Sequence, residues 1–207
     1  MAGLFSGLGS FETADMTEKS EFVGKLSQLP AHIQQGLANQ TLQIVPVNLY
    51  GVKEITNKNH IEIFEPGDLT IRGLRNVTQG QTAAEKYIML SRLRCRTAKI
   101  AVSACTGKSD EQIVQSLDWE TPCRTVTSGE WMLGAGATTY MDKTASSVFD
   151  HPNGTTIPLG EYKIPGKVIE PQSDIKVELD LIGTMGDEDT YRYFVRVDLI
   201  GVQTAKA

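Results

Sequence analysis

Two stretches near the C-terminus alternate between apolar and polar side chains with a period of two. In residues 175–181 the apolar positions alternate with Lys176, Glu178 and Asp180, and residues 193–200 carry a second alternation. A period of two is typical of strands with one buried face. The segment between them is rich in glycine and short polar side chains, which indicates a loop. The pattern therefore predicts a β-hairpin in an antiparallel β protein.

A helical pattern lies far upstream, between residues 15 and 37. Asp15 and Glu18 have the spacing of a capping box, and apolar residues recur at intervals of three and four as far as Leu37. Proline in a helix interior costs about 3 kcal/mol, so Pro30 predicts a break or a kink. A helix with one apolar stripe in front of a β region is typical of a packing or assembly element.

The first 14 residues combine glycines with apolar side chains, a composition too apolar for a solvated tail. Two interpretations stay open: this arm folds back on its own domain, or it docks on a neighbouring subunit or a membrane surface. The apolar residues of the arm and of the helix predict assembly contacts at Phe5, Phe11, Phe22, Leu26, Leu29 and Ile33.

After residue 40 the pattern changes to strands. Residues 41–49 favour a strand, and Pro46 places it at a sheet edge or a bulge. Residues 61–64 and 69–74 flank a turn with proline and glycine, which predicts a second hairpin. Residues 82–90 read as a helical or extended lead-in to a long strand.

Further elements follow in the second half of the chain. Ser109 and Gln112 have capping-box spacing and predict a helix over residues 109–119. A long strand is expected at 91–98, and short strands are expected at 123–127, 130–133, 138–141 and 146–149. Short strands separated by turn signals indicate a sandwich or a barrel. We therefore expect a mainly β fold with an N-terminal helical segment, in which residues 1–40 form an assembly or packing extension and residues 41–207 one β-sandwich domain.

Three arginines share one face of the strand predicted over residues 91–98. Arg92, Arg94 and Arg96 occupy alternate positions, which gives a concentrated positive row. Two interpretations stay open. The row pairs with carboxylates of neighbouring strands, such as Glu178 and Asp180, or it faces phosphates of nucleic acid or lipid.

Length and composition are those of an ordinary globular protein. The chain has 207 residues, 40% hydrophobic and 22% charged, with a net charge of −5, so one sizeable core is expected. The N-terminus lacks the positive region of a secretory signal, and no apolar run is long enough to span a bilayer. Three cysteines without a Cys-x-x-Cys pair fit free thiols in a reducing compartment, and we expect an unprocessed cytosolic product.

The search for chemistry predicts no catalytic, cofactor-binding or metal-binding residue. The three histidines are too scattered for a zinc motif, and phosphate-loop, dinucleotide and nucleophile-elbow motifs are missing. Residues 187–189 carry three carboxylates that fit either a solvated acidic loop or an incomplete calcium site. A nucleophile assembled from Cys105 or Cys123 with His60 or His151 has no flanking signature.

One passage carries a family resemblance. Residues 164–179 read Ile-Pro-Gly-Lys-Val-Ile-Glu-Pro-Gln-Ser-Asp-Ile-Lys-Val-Glu-Leu, and residues 193–202 read Tyr-Phe-Val-Arg-Val-Asp-Leu-Ile-Gly-Val. The first is similar to the proline-rich loop and closing strand of jelly-roll capsid proteins from tailless icosahedral phages, some of them membrane-containing. The second resembles their final strand. The resemblance implies an eight-stranded, two-sheet jelly roll with lateral contacts in an icosahedral shell. The chain is too short for the double jelly roll of many such proteins.

Three functional hypotheses follow, in order of preference. The first is a structural virion protein, a self-assembling capsid subunit in a major, vertex or cementing role. Its expected partners are copies of itself, other virion proteins and the internal lipid membrane or packaged nucleic acid; its expected location is the virion, after synthesis in the host cytoplasm. The second is a carbohydrate- or receptor-binding module that uses exposed aromatic residues, the candidates being Trp119, Trp131, Tyr140 and Tyr162. The third is a hydrolase that uses Cys123 or a carboxylate pair.

Overall fold

The computed structural model describes residues 13–145, 149, 160–164 and 166–207, with the side chains of 13–18 and 144–145 left out. The helices in this part are α1 (Thr13–Gly24), α2 (Ala31–Ala38), α3 (Asp110–Gln115) and α4 (Arg124–Thr127), with 3-10 turns at Leu26–Gln28 and Val102–Cys105. The strands are β1 (Leu42–Glu54), β2 (His60–Glu62), β3 (Ile88–Ala101), β4 (Glu130–Ala135), β5 (Thr138–Ala145), β6 (Glu161–Lys163), β7 (Val168–Ile169), β8 (Ile175–Asp180) and β9 (Tyr191–Lys206). The chain is mainly β.

The strands form two antiparallel sheets. The first sheet has the order β1-β9-β3-β6, with β7 paired to β3, and the second has the order β2-β8-β4-β5. In the first sheet β1 pairs with β9 along its whole length, from Leu42 opposite Lys206 to Glu54 opposite Phe194. Pro46 lies in β1, an edge strand of the described sheet, where the missing N–H costs no ladder hydrogen bond.

The predicted C-terminal hairpin is wrong, although both of its strands are present. β8 pairs with β2 and β4 in the second sheet, whereas β9 pairs with β1 and β3 in the first. The inward side chains of the two strands, including Val177 and Leu179 from β8 and Val195 and Val197 from β9, belong to one buried core. The two strands therefore meet face to face across the core, because each buries an apolar face against the opposite sheet.

Two further strand predictions are wrong. Residues 69–74 form turns, since the N–H groups of Leu74 and Arg75 both donate to the carbonyl oxygen of Ile71. Leu69 in this segment is two-thirds exposed and has no sheet to cover it. Residues 124–127 form the single turn α4, in which Val126 is the buried side chain. Short β-favouring runs gain little in a sheet when they offer only one buried side chain.

The N-terminal helices cover one end of the outer face of the first sheet. Phe22, Leu29 and Ile33 are buried against Met89 and Val202 of that sheet. The other end of the same face is covered by α3. The predicted capping box of α3 is confirmed: the Gln112 amide donates to the Ser109 hydroxyl, and the Gln112 side chain accepts from the Ser109 amide.

Several predicted features lie outside the described residues. These are Phe5 and Phe11 of the arm, His151 and most of the strand expected at 146–149. In the described part of the chain, the helices are too short or too polar to cross a membrane.

Candidate functional site

A polar strip separates the two apolar zones on the outer face of the first sheet. One row of this strip runs straight across four strands: Tyr50 of β1 lies opposite Asp198 of β9, Asp198 opposite Arg94 of β3, and Arg94 opposite Glu161 of β6. Arg96 and Arg196 form the next row, since they lie opposite each other on β3 and β9. We call Arg92, Arg94, Arg96 and Arg196, with the two carboxylates between them, the arginine strip.

Glu161 is held by two arginines. Its side chain is only 2% exposed, and its Oε1 accepts a hydrogen bond of 2.6 Å from the Nε of Arg94. Arg94 makes a second contact to the same oxygen through Nη2. The Nη1 of Arg92 lies 3.6 Å from Oε2. A buried carboxylate is costly unless it is paired and hydrogen-bonded, and here arginine supplies both.

Asp198 is held by the other two arginines. The Nη2 of Arg96 lies 2.8 Å from Oδ2, and the Nη2 of Arg196 lies 2.8 Å from Oδ1. Asn48 donates a further hydrogen bond of 3.2 Å to Oδ1. Burial alone raises the pKa of Asp198, but the hydrogen bonds from Arg196, Arg96 and Asn48 outweigh it, so the pKa is lowered. Asp198 is therefore ionised at neutral pH. Arg196 also stacks on Tyr50, with its guanidinium carbon 4.7 Å from the ring centroid.

Positive and negative groups lie at different depths in the strip. Four guanidinium groups surround the two carboxylates. The carboxylates are 1–2% exposed, while the arginine side chains are 21–38% exposed. The negative groups thus lie underneath, and the positive groups lie at the surface.

The partners of the predicted arginine row differ from those named from the sequence. Arg92, Arg94 and Arg96 pair with Glu161 and Asp198, whereas Glu178 and Asp180 lie on β8 in the other sheet. The signal for Asp198 and Arg196 was in the sequence, as polar positions within the alternation of an apolar strand. Glu161 had no such signal, because β6 is three residues long.

The apolar residues predicted as assembly contacts are already packed within the chain where the structure describes them. Phe22, Leu29 and Ile33 are buried, and Leu26 packs half-buried against the same cluster. Lys25 fixes the end of α1 by donating to the carbonyl oxygen of Gly166. These contacts attach the N-terminal helices to the sheet of their own chain.

The aromatic candidates for sugar stacking are largely core residues. Trp131 is completely buried and makes an edge contact with Phe149, with ring centroids 5.2 Å apart. Tyr140 and Tyr162 are half-buried against the same core, and burial raises the pKa of Tyr140 to about 12. Trp119 packs half-buried near α3.

The cysteines and histidines that were candidates for catalysis lie in different parts of the fold. Cys95 is buried, and burial raises the pKa of its thiol. The sulfur of Cys123 lies 3.8 Å from that of Met185, at the edge of the main core. His60 lies on the outer face of the second sheet, where its Nδ1 is 2.5 Å from Asp180 and its Nε2 is 3.8 Å from Glu62. The Asp180 hydrogen bond raises the pKa of His60.

The acidic residues 187–189 stabilise their own loop. Asp187 accepts a hydrogen bond from the hydroxyl group of Tyr193, and Glu188 accepts from the backbone amides of Asn57 and Met185. Among the described residues there is no group of three or more histidine, cysteine or acidic side chains that could hold a metal ion.

A shallow pocket lies at the edge of the second sheet. Its volume is about 410 Å³, and its walls include Glu62 and Glu178, which face each other on β2 and β8, together with Lys176 and Asp174. The pocket is open and has both polar and apolar wall residues, and its one aromatic wall residue, Phe64, is itself buried.

Comparison of the chain with family models, with curated proteins and with solved structures finds no match in any of the three, so the functional conclusion rests on the geometry alone.

Proposed function

We propose that the protein is a structural virion protein, a self-assembling jelly-roll capsid subunit without enzymatic activity. Its partners are other copies of the chain and further virion proteins, and its place is the virion. The observation that carries the proposal is the order of the strands in the two sheets.

The pairing of the strands supports a jelly roll. When the two-residue β7 is set aside, eight strands remain in the described part of the chain. Four of their pairs join the first strand to the last, the second to the seventh, the third to the sixth and the fourth to the fifth. This is the pattern obtained when one long antiparallel hairpin is rolled into two sheets. Jelly rolls with two Greek keys have this form and are common in viral capsids, as well as in lectins and cupins.

The space between the sheets supports a structural role. It is filled by large apolar side chains, among them Trp131, Leu133, Leu179 and Val197, each completely buried. Ligand-binding barrels keep their interior open for a ligand or a metal, and a filled core is instead suited to a rigid building block. A rigid subunit transmits the geometry of one contact to the next.

Two large apolar side chains that face solvent support contacts between copies. Leu69 and Ile182 are each 66% exposed. Leu69 lies in the turns after β2, and Ile182 comes two residues after the end of β8. Contacts that join one surface of a subunit to a different surface of the next generate closed rings when the rotation closes, and open filaments when it does not.

Light scattering and electron microscopy of the purified full-length chain test the proposal. We expect concentration-dependent association into rings or shells. A chain that stays monomeric at every concentration, and that is absent from particles made by its own host cell, contradicts the proposal.

The double variant Leu69→Ser/Ile182→Ser sharpens this test. Both side chains are largely exposed, so the free energy of unfolding of the single chain should change by no more than about 0.5 kcal/mol per site. Association should nevertheless be lost if these side chains lie in the contacts. Lys176→Ser, on the exposed face of the second sheet, is the matched control and should assemble like the wild type. Unchanged association of the double variant would exclude these two side chains as contacts.

A further inference from the structure

We infer that a cavity beside the turn at residues 78–81 binds one ring of an uncharged sugar through amide side chains. This inference concerns a binding activity of the individual chain and holds whether or not the chain assembles. It goes beyond the proposed structural function, which needs no ligand.

The first argument is the size of the cavity. Its walls come from Leu49 of β1, from residues between 76 and 84 and from Gln172, and its volume is about 230 Å³. A water molecule occupies about 30 Å³ of the liquid, so the cavity has the room of about eight waters. Cavities for drug-sized ligands begin at about 300 Å³. The space therefore suits a single sugar ring.

The second argument is the chemistry of the walls. The described wall residues offer amides, hydroxyl groups and apolar side chains, and none of them is charged. An ion that left water for this cavity would therefore meet no opposite charge. Amide groups both donate and accept hydrogen bonds, as the hydroxyl groups of a sugar do. Ala83 and Ala84 are exposed wall residues that leave a small apolar surface for the C–H groups of the ring.

The third argument is that two wall glutamines occupy turn positions that favour other residues. A hydrogen bond of 3.1 Å closes the turn at residues 78–81, in which Gln79 and Gly80 have φ angles of 55° and 66°. Two positive φ angles are typical of a type I′ turn. Gln172 follows Pro171 and has a φ of 55°, as at the second central position of a type II turn. Glycine, asparagine and aspartate are the usual residues at such positions, so turn formation does not explain the two long amides.

The backbone holds both glutamines in fixed places beside the cavity. The N–H of Gln79 donates to the carbonyl oxygen of Asp68 at 2.7 Å, which anchors the first turn. The hydroxyl group of Thr82 donates to the carbonyl oxygen of Glu170 and accepts from the N–H of Ser173, which anchors the second turn. Among the described residues, neither glutamine side chain has a hydrogen-bond partner, and both are exposed. Their amides are thus available to a ligand, and the anchored turns limit what its binding must order.

The glutamines allow a test in which binding and stability are separated. Gln79→Gly and Gln172→Gly each remove one amide, and glycine accepts a positive φ without strain, so the thermal midpoint should stay the same or rise. Gln172→Asn keeps an amide on a residue type that tolerates this backbone. The matched control is Gln40→Gly: Gln40 is exposed and has a φ of 60°, but it precedes β1 and lies outside the walls of the cavity.

Saturation-transfer difference NMR measures the binding, because it detects weak ligands of single chains and of assemblies. The probes are the methyl glycosides of glucose, galactose, mannose and N-acetylglucosamine, with methyl glucuronide as the charged counterpart. We expect at least one uncharged probe to bind the full-length wild type with a dissociation constant on the order of 1 mM. The loss of one neutral hydrogen bond should weaken this binding about three- to tenfold in Gln79→Gly and in Gln172→Gly. Gln172→Asn should bind more tightly than Gln172→Gly, and Gln40→Gly should bind like the wild type.

Four outcomes overturn the inference: no uncharged probe binds the wild type, both glycine variants of the wall bind as tightly as the wild type, Gln40→Gly weakens binding equally, or the glucuronide binds more tightly than every uncharged probe. A fifth is tighter binding of N-acetylalanine amide, a model of the peptide group, through the same two glutamines. Light scattering follows the assembly of each variant separately. Weaker sugar binding with normal assembly and an undiminished thermal midpoint supports the inference and leaves the proposed function unaffected.

Discussion

The outer faces of the two sheets differ in how deeply their charged side chains are buried. On the first sheet, carboxylates are buried under arginines, and helices cover both ends of the face. On the second sheet, the charged side chains stand in solvent: His60 is 51% exposed, Lys143 60% and Asp180 34%. Ion pairs on the two faces are therefore expected to differ in their effect on stability, because solvent screens the exposed pairs of the second face more than the buried carboxylates of the first.

The largest expected effect on the free energy of unfolding comes from the N-terminal helices that cover the first face. Phe22→Ala removes a completely buried ring between α1 and the sheet, so the free energy of unfolding should fall by about 3 to 5 kcal/mol. Chemical denaturation measures this fall. Met132→Ala, a half-buried position on the second face, is the control and should cost no more than about 1 kcal/mol. If Phe22 acted only between subunits, the variant would lose assembly and keep the stability of the single chain.

The two aspartates that pair with basic groups give the most direct comparison. Asp198→Asn leaves the partly buried Arg96 and Arg196 beside a neutral amide, so we expect a loss of about 2 to 3 kcal/mol. Asp180→Asn removes the partner of His60 and Lys143 on the exposed face and should cost less than about 1 kcal/mol. Urea denaturation of both variants at neutral pH gives the two values. Equal losses would show that the faces do not differ electrostatically.

This comparison also shows how far the sequence predicts the structure. The sequence pattern located β8 closely and the central parts of β1, β3 and β9, because a half-buried strand requires a period of two. It ended β1 and β9 too early, since these strands continue to Glu54 and Lys206. The same alternation could not tell which sheet each strand joins. It shows that β8 and β9 each have one buried face. Their assignment to different sheets depends on pairing with strands far away along the chain.

The sequence predicted the arginine row of the candidate site but not the carboxylates that pair with it. Three arginines at alternate positions of one strand must share a face, so their row followed from the sequence. Their partners did not, since Glu161 comes from a three-residue strand 67 positions after Arg94, and Asp198 from a strand 102 positions after Arg96. The burial of the carboxylates under the arginines depends on these long-range pairings and leaves no mark on the local pattern.

The first face should lose stability in acid. The folded pKa of Asp198 lies below its value in the unfolded chain, so the aspartate contributes stability above the unfolded pKa of about 3.9 and loses it as the pH falls through the folded pKa. Denaturation of the wild type and of Asp198→Asn from neutral pH downwards checks this. The difference between the two proteins should shrink below about pH 4. A constant difference down to strong acid would contradict the assigned origin of the pKa shift.

The second face should show a smaller effect of opposite sign. The hydrogen bond to Asp180 raises the folded pKa of His60, so His60 contributes stability below its unfolded pKa of about 6.5 and loses it as the pH rises through the folded pKa. Because the ring is half exposed, the loss should be less than about 1 kcal/mol. His60→Gln should remove this decline above neutral pH, and His32 and His151 cancel in the comparison because both proteins contain them. A decline of the same size in His60→Gln would assign it to another group, and the contrast between the faces would then rest on the buried carboxylates alone.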